Sequence, residues 1–227
     1  MLEITVIADD LTGAGDTGVQ FRTRLEECLL ISHRKLISRE WHFAKPAGLA
    51  VYTNTRFVDG GVADARLRSL GQSLNALHPK WIYKKVDSSL RGNLGAEVEA
   101  LMEACGFRLS LVAPAFPAMG RTTEDRVHRI GGIELAETEV GRDPLTPVHN
   151  SCLDSLLRRQ TLCRVEHIQL VDVEQGPAHL ADKIDGLFES GAAHFTFDAT
   201  TDLHLKTVAQ LAEILPQKPL MVGSAGL

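Results

Sequence analysis

Short apolar blocks alternate with longer amphipathic stretches almost from end to end of the chain, the rhythm of repeated strand and helix units. Ile4, Val6 and Ile7, with Thr5 between them, suit a buried strand, and Cys28 to Ser32, Leu49 to Thr53, Trp81 to Val86 and Leu109 to Ala113 read the same way. Val165 to Leu170, His194 to Asp198 and Pro219 to Val222 complete the set. Between them the period changes to that of a helix. From Gly60 to Leu77 the apolar positions Val62, Ala65, Leu67, Leu70, Leu74 and Leu77 share one face, and Asp64, Arg66, Arg68 and Gln72 the other. Thr17 to Leu25, Glu97 to Glu103, Leu153 to Gln160, Pro177 to Ser190 and Leu203 to Leu215 are further helices. The pattern predicts an α/β fold, a mainly parallel sheet with helices on both faces in a Rossmann-like three-layer domain over residues 1–227.

Three stretches break the rhythm. His33 to Pro46 is polar without a clear period and reads as surface chain. Val127 to Glu134 reads as a short hairpin around Gly131-Gly132. Glu137 to Pro147 has no core pattern, and an excursion of that length suits a lid.

Polar chemistry collects where the predicted strands end, the usual ligand edge of an open α/β sheet. The first strand runs into Asp9 and Asp10, then Thr12-Gly13-Ala14-Gly15, which reads as a tight turn with outward backbone N–H groups before a helix starting near Gly15 or Asp16. A helix N-terminus there favours an anionic or polyhydroxylated guest; the plainer reading makes Asp9, Asp10 and Thr12 simple helix caps. The third strand ends in Thr53-Asn54-Thr55-Arg56, either a ligand corner or a turn with an exposed arginine. The fourth ends in Asp87-Ser88-Ser89-Leu90-Arg91-Gly92-Asn93, just after Lys84-Lys85. That cluster offers donors for a carboxylate and acceptors for sugar hydroxyls, although Ser88 or Ser89 also suits a helix cap and Arg91 a surface ion pair. The fifth strand stops at a proline-rigid loop that ends in Gly120-Arg121-Thr122-Thr123, and the last at Gly223-Ser224-Ala225-Gly226, a turn of the phosphate- or ligand-facing kind that normally feeds a helix.

Composition narrows the class. The chain has 227 residues, 44% hydrophobic, a formal net charge of −5 and a pI near 6.0, which argues against nucleic-acid binding. There is no membrane-length apolar run and no signal-peptide pattern, so the expectation is a cytoplasmic protein away from membranes. Cys28, Cys105, Cys152 and Cys163 lack paired spacing and read as reduced thiols, with neither disulfides nor a metal site.

The motifs ADDLTGAGDTG (Ala8 to Gly18), KKVDSSLRGN (Lys84 to Asn93), PAFPAMGRTT (Pro114 to Thr123), ETEVGRDPLTP (Glu137 to Pro147), FDATTDLHL (Phe197 to Leu205) and VGSAGL (Val222 to Leu227) follow one another in the order of a known family. The chain resembles the N-terminal domain of the four-carbon acid sugar kinases, which act on threonate, erythronate and 3-oxo-tetronate. The resemblance covers essentially all 227 residues. It implies a sugar-acid-binding domain, a C-terminal nucleotide-binding domain absent from this chain, ATP and Mg²⁺ for the whole enzyme, and none of these cofactors bound by this part alone. A homodimer is left open. Ser89 stands where the family usually has threonine, Asn54 where an aspartate-containing turn is common, and Glu124-Asp125-Arg126 is more charged than the family's stretch there. The Gly13 to Asp16 run mimics the catalytic motif of ribokinase-like enzymes but sits early in the chain, which ranks Asp16 below Asp10.

On that reading Asp87 or Asp10 accepts the hydroxyl proton. Asp10, Asp87, Ser88 and Asn93 bind hydroxyls, Asp9 joins the substrate-binding residues, and Arg91 with Lys85 takes the carboxylate. Arg121 joins the substrate contacts and, with the cofactor-side turn Gly223 and Ser224, faces the incoming phosphate or partner domain. The alternatives are a sugar-acid-binding module without catalysis and, more weakly, a phosphatase or hydrolase, since Asp9-Asp10-Leu11 lacks the DxD spacing of aspartyl-phosphate chemistry.

Overall fold

The computed structural model describes residues 2–38 and 46–227. Eight strands form one sheet: β1 (Ile4–Ala8), β2 (Cys28–Ser32), β3 (Gly48–Tyr52), β4 (Trp81–Lys85), β5 (Ser110–Ala113), β9 (Arg164–Ile168), β10 (Ala192–Phe197) and β11 (Leu220–Gly223). The intervening β6 (Arg121–Glu124), β7 (Val127–Ile130) and β8 (Ile133–Glu134) form a separate antiparallel sheet. In the large sheet the order is β2-β3-β1-β4-β11-β5-β10-β9 and every pairing is parallel. Parallel strands need covered faces. Helices α2 (His33–Ser38), α3 (Gly60–Asn75), α4 (Leu94–Cys105) and α5 (Leu153–Arg158) cover one face through Leu36, Leu67, Leu70, Leu74, Val98, Leu101 and Leu157. Helices α1 (Leu11–Arg22), α7 (Pro177–Glu189) and α8 (Asp202–Ile214) cover the other through Ala14, Leu180, Ile184, Val208 and Leu211, and the short α6 (Leu170–Val173) adds Val173 to the same side. The three-layer α/β expectation holds.

Chirality places the crevice. From β1 the chain crosses through α1 to β2 on one face, whereas from β4 it crosses in the opposite direction through α4 to β5 on the other face. Right-handed crossovers that run in opposite directions must use opposite faces, so the loops after β1 and β4 part and leave a gap at the strand ends. Strand alternation then divides the two adjacent lysines of β4. Lys84 points to the α4 face, where its Nζ lies 2.8 Å from Glu97 Oε2 with both side chains buried, and Lys85 points toward α1.

Four local expectations are corrected. The Thr12 to Gly15 segment is no turn: α1 begins at Leu11, because Asp10 caps it by accepting a hydrogen bond from Gly13 N at 2.8 Å, and ends at Arg22 rather than Leu25. The surface stretch from His33 contains α2, anchored by buried His33 and Leu36; residues 39–45 lie outside the described residues. The N-cap of α4 is Asn93, not Ser88 or Ser89. The stretch from Leu135 to Val148 does carry core residues, since Leu135, Val140 and Val148 are buried in the same apolar cluster as residues of α4 and α5, so it is fastened down over much of its length.

The 127–134 hairpin gains a third strand, β6, and is fastened to the large sheet by buried polar groups. Thr123 and Ala199 exchange backbone hydrogen bonds of 3.0 and 2.8 Å. Asp198, fully buried, accepts from Asp125 N, Arg126 N and Leu170 N at 3.0 to 3.1 Å, and contacts His167 Nε2 at 3.0 Å. Asp125 and Arg126 both have positive φ, 49° and 72°, so the turn depends on that carboxylate to hold it. His128 is buried, accepts from Thr123 Oγ1 at 2.9 Å and donates from Nε2 to the Ser88 carbonyl at 2.8 Å. Burial above all pushes its proton affinity down, to a pKa of about 4; His194, buried between Ser110 and Thr161, is likewise pushed down to about 4.

Two outcomes follow. Removing the carboxylate in Asp198→Ala leaves several buried donors unpaired and should cost about 3–5 kcal/mol in urea unfolding, whereas a loss below about 1 kcal/mol would show the latch to be dispensable. The two histidines are depressed in the folded state, so they favour folding above the unfolded histidine pKa of about 6.5 and that contribution disappears as pH falls toward 4. Urea midpoints should therefore drop between about pH 6.5 and pH 4, and less steeply in His194→Gln.

Candidate functional site

At the carboxyl ends of β1, β3 and β4 the polar residues form one network built around Arg56. Its Nε and Nη2 donate to Asp9 at 2.6 and 3.0 Å, and its Nη1 lies 2.9 Å from Asp10 Oδ2. All three guanidinium nitrogens are engaged. Burial would lower the proton affinity of Arg56, yet the Asp9 hydrogen bonds and the charges of Asp9, Asp87 and Asp10 outweigh it and hold the guanidinium firmly protonated. Asp10 serves twice, with one oxygen capping α1 and the other facing Arg56. The capping reading of Asp10 therefore holds, and its second oxygen belongs to the Arg56 network.

Lys85 lies beneath the first turn of α1. Its Nζ donates to the Val86 carbonyl at 2.7 Å, and a Cβ on Gly13 would stand 3.1 Å from that nitrogen and 2.7 Å from Asp10 Oδ1. A side chain at position 13 would therefore push the Asp10 carboxylate or the Lys85 ammonium out of place. Burial lowers the Lys85 pKa against the opposing pull of Asp9, Asp87 and Asp10, with Lys84 adding to the depression. Asp87 shows the reverse balance. Burial would raise its pKa, but the Arg91 hydrogen bond and the charges of Arg56 and Arg91 win, and it is held below the ordinary carboxylate value.

Arg91 bonds from Nε to Asp87 Oδ2 at 2.5 Å and from Nη1 to Asp143 Oδ2 at 3.2 Å. The ion-pair reading of Arg91 thus describes its geometry, and the partner Asp143 comes from the 137–147 excursion. Asp143 Oδ1 also accepts from Leu145 N and Thr146 N, both at 2.9 Å, which fixes the carboxylate in its own turn. Asn93 donates from Nδ2 to Thr55 O and Val58 O, both at 2.9 Å, binding the β3 and β4 loops together. The Ser224 hydroxyl donates to Ala115 O at 2.9 Å and accepts from Gly226 N at 3.1 Å, while Tyr83 donates to the Ser224 carbonyl; the turn from Gly223 is internally bonded. Ser88 is partly exposed, with its carbonyl taken by His128.

The fold thus brings Asp9, Asp10, Lys85, Asp87, Ser88 and Arg91 to one edge with Arg56 among them, and gives Asn93 and Ser224 internal bonds. Sequence reasoning left Arg56 undecided and missed Asp143 and His128. The Arg56 corner carried a visible polar signal, whereas nothing periodic marks Asp143. Among the described residues no group of three or more histidine, cysteine, aspartate or glutamate side chains is placed to hold a metal ion, and no helix is long and apolar enough to cross a membrane.

The chain is similar to the D-threonate kinase of Salmonella typhimurium, 34% identical over 229 residues that cover all of this chain and 52% of that protein. It is similar also to the D-erythronate kinase of Heliobacterium modesticaldum, 31% identical over 92% of this chain and 48% of that protein. The chain spans about half the length of the curated relatives it matches. A crystal structure from Bordetella bronchiseptica, a domain-swapped dimer with bound citrate, superposes with a TM-score of 0.83 at 34% identity, covering 99% of this chain and 54% of that one. The family model described as the sugar-binding N-terminal domain matches residues 4–227, and the chain belongs to that family.

Proposed function

We propose that the chain is the substrate-binding half of an ATP-dependent kinase for a four-carbon sugar acid, with threonate and erythronate the first candidates. The observation that carries this reading is the charge-dense network of buried Asp9, Arg56, Lys85 and Asp87 with the partly exposed Asp10 and Arg91, at the one place where the loops after β1 and β4 diverge. A crevice lined by fixed carboxylates and by donors in a defined pattern suits a small polyhydroxylated ligand better than a flat or apolar partner. The relatives named as kinases of such acids support the substrate class, and their length supports a nucleotide-binding half beyond these 227 residues.

In this mechanism Asp87 and Asp10 accept hydrogen bonds from substrate hydroxyls. One of them takes the proton of the hydroxyl that becomes the nucleophile. Asp87 is oriented from one side by Arg91, and its lowered pKa keeps it ionised across the neutral range at the cost of basicity. Arg56 keeps Asp9 and Asp10 in register, and Lys85 supplies positive charge beneath the crevice. Positioning and electrostatics of this kind dominate phosphoryl transfer. ATP and Mg²⁺ belong to the other half. The hydroxyl of the Gly223-Ser224 turn is already engaged by Ala115 and Gly226. A sugar-acid-binding module without catalysis remains the competing reading.

The reading is tested by calorimetry of the 227-residue chain with D-threonate and D-erythronate, followed by coupled kinase assays of the chain alone and of the full-length protein. Sugar-acid binding without phosphorylation by the chain, and phosphorylation by the full-length protein, is the expected result. Absence of any tetronate binding would overturn it, and absence of activity in the full-length protein would favour the binding module. A second test uses Gly13→Ala. The added methyl must displace Asp10 or Lys85, so tetronate affinity should fall at least about tenfold, which corresponds to about 1.4 kcal/mol. The control Gly15→Ala, where the Cβ meets nothing within 4 Å, should bind like the unaltered chain.

A further inference from the structure

At the carboxyl edge of the sheet the cations differ in what they already hold. Arg56 is fully engaged by Asp9 and Asp10, Arg91 joins Asp87 to Asp143, and Lys85 donates to the Val86 carbonyl within the field of Asp9, Asp10 and Asp87. These three cations face the four carboxylates Asp9, Asp10, Asp87 and Asp143. The network therefore carries one negative charge in excess, an unfavourable welcome for an anionic ligand.

Arg121 is different. Its Nη1 donates to the Met119 carbonyl at 2.6 Å, it has no carboxylate partner among the described residues, and its Nε is buried with no hydrogen-bond partner. A buried guanidinium N–H without an acceptor is costly and uncommon in a native fold, and calls for an explanation. Its position is set by the small sheet. Arg121 and Thr123 are two residues apart on β6 and so project from the same face, and His128 of β7 stands directly opposite Thr123 on that face. That face is turned toward the β4 loop, since His128 Nε2 donates to the Ser88 carbonyl at 2.8 Å. Backbone bonds between Arg121 and Phe116, 2.8 and 3.0 Å, close the loop after β5 and hold the arginine at its root. Arg121 thus stands diagonally beside His128, on the side of the β4 loop that carries Asp87 and Ser88.

We propose that Arg121 binds the carboxylate of the ligand and so selects sugar acids over neutral sugar alcohols, while Arg91 is a positioning residue that braces Asp87 against Asp143. The inference rests on the substrate reading above. An acid pairs instead with the Nη groups of Arg121, which no carboxylate among the described residues occupies, since Nε itself is sealed from solvent. Arg121 also supplies the positive charge that the Asp9, Asp10, Asp87 and Asp143 network lacks. The hydroxyl end of a four-carbon acid then extends toward Asp87 and Asp10.

The test compares two ligands that differ only at the carboxylate. Calorimetry with D-threonate and NMR titration with the neutral alcohol threitol are run on the unaltered chain, Arg121→Ala, Arg121→Lys and Arg91→Ala, with circular dichroism melting of each. Arg121→Ala is expected to weaken threonate binding roughly tenfold to a hundredfold while leaving threitol binding and the melting temperature in place, with Arg121→Lys intermediate. Arg91→Ala should weaken both ligands together. Unchanged threonate affinity in Arg121→Ala, or an equal loss for threonate and threitol, overturns the assignment. If Arg121→Ala does not fold, Arg121→Lys decides: unchanged threonate affinity there overturns it as well. Failure of the unaltered chain to bind threonate overturns the substrate reading itself, and the assignment of Arg121 with it.

Discussion

The contact on which the site depends is the guanidinium of Arg56 held between Asp9 and Asp10. Two adjacent carboxylates at the end of a strand repel each other and are costly to bury. Arg56, delivered by the loop after β3, neutralises them through a planar two-point bond to Asp9 and a contact to Asp10. Asp10 is thereby free to cap α1 with its other oxygen, and α1 can start directly at Leu11. The close approach of that first turn to Lys85 follows, and with it the tight fit of Gly13 against Asp10 and Lys85. One arginine thus links β1, β3, α1 and β4 at the point where the crossovers diverge.

Around that centre the charges are paired in layers. Lys84 and Glu97 form a buried pair on the opposite face of the sheet, away from the crevice. Arg91 and Asp143 connect the β4 loop to the excursion over the α4 face, which explains how a stretch rich in charge and proline lies on the domain in a fixed course. Asn93 adds a neutral tie between the β3 and β4 loops. Most polar groups near the crevice therefore have internal partners, which makes the orphaned Nε of Arg121 conspicuous.

The small antiparallel sheet depends on the large one. Its outer strand β8 has only two residues, and its core is too small to hold it alone. Asp198 and the exchange between Thr123 and Ala199 attach it to the end of β10, and His128 attaches it to Ser88. Through these contacts residues far apart in the chain, Asp87, Arg121 and Asp198, come to share one end of the molecule.

The sequence by itself determined the layering and the edge. Period-two and period-3.6 patterns are local, so strands β1 to β5 and β9 to β11 and helices α3, α7 and α8 were legible within a few residues, and parallel strands direct their loops to a common side. Asp9, Asp10, Lys85 and Asp87 were legible as site candidates because they sit at strand ends, and the ordered motifs identified the family. What only the tertiary structure decided is which partner each charge takes. Arg56 could have been a surface residue, Arg91 could have been unpaired, and nothing around Asp143 signals that it reaches Arg91 across fifty residues of chain. The start of α1 also escaped, because glycines read locally as a turn while the cap at Asp10 and the approach to Lys85 demand a helix there. Pairing between charges distant in sequence depends on where the crossovers place their loops, and a local pattern carries no record of that placement.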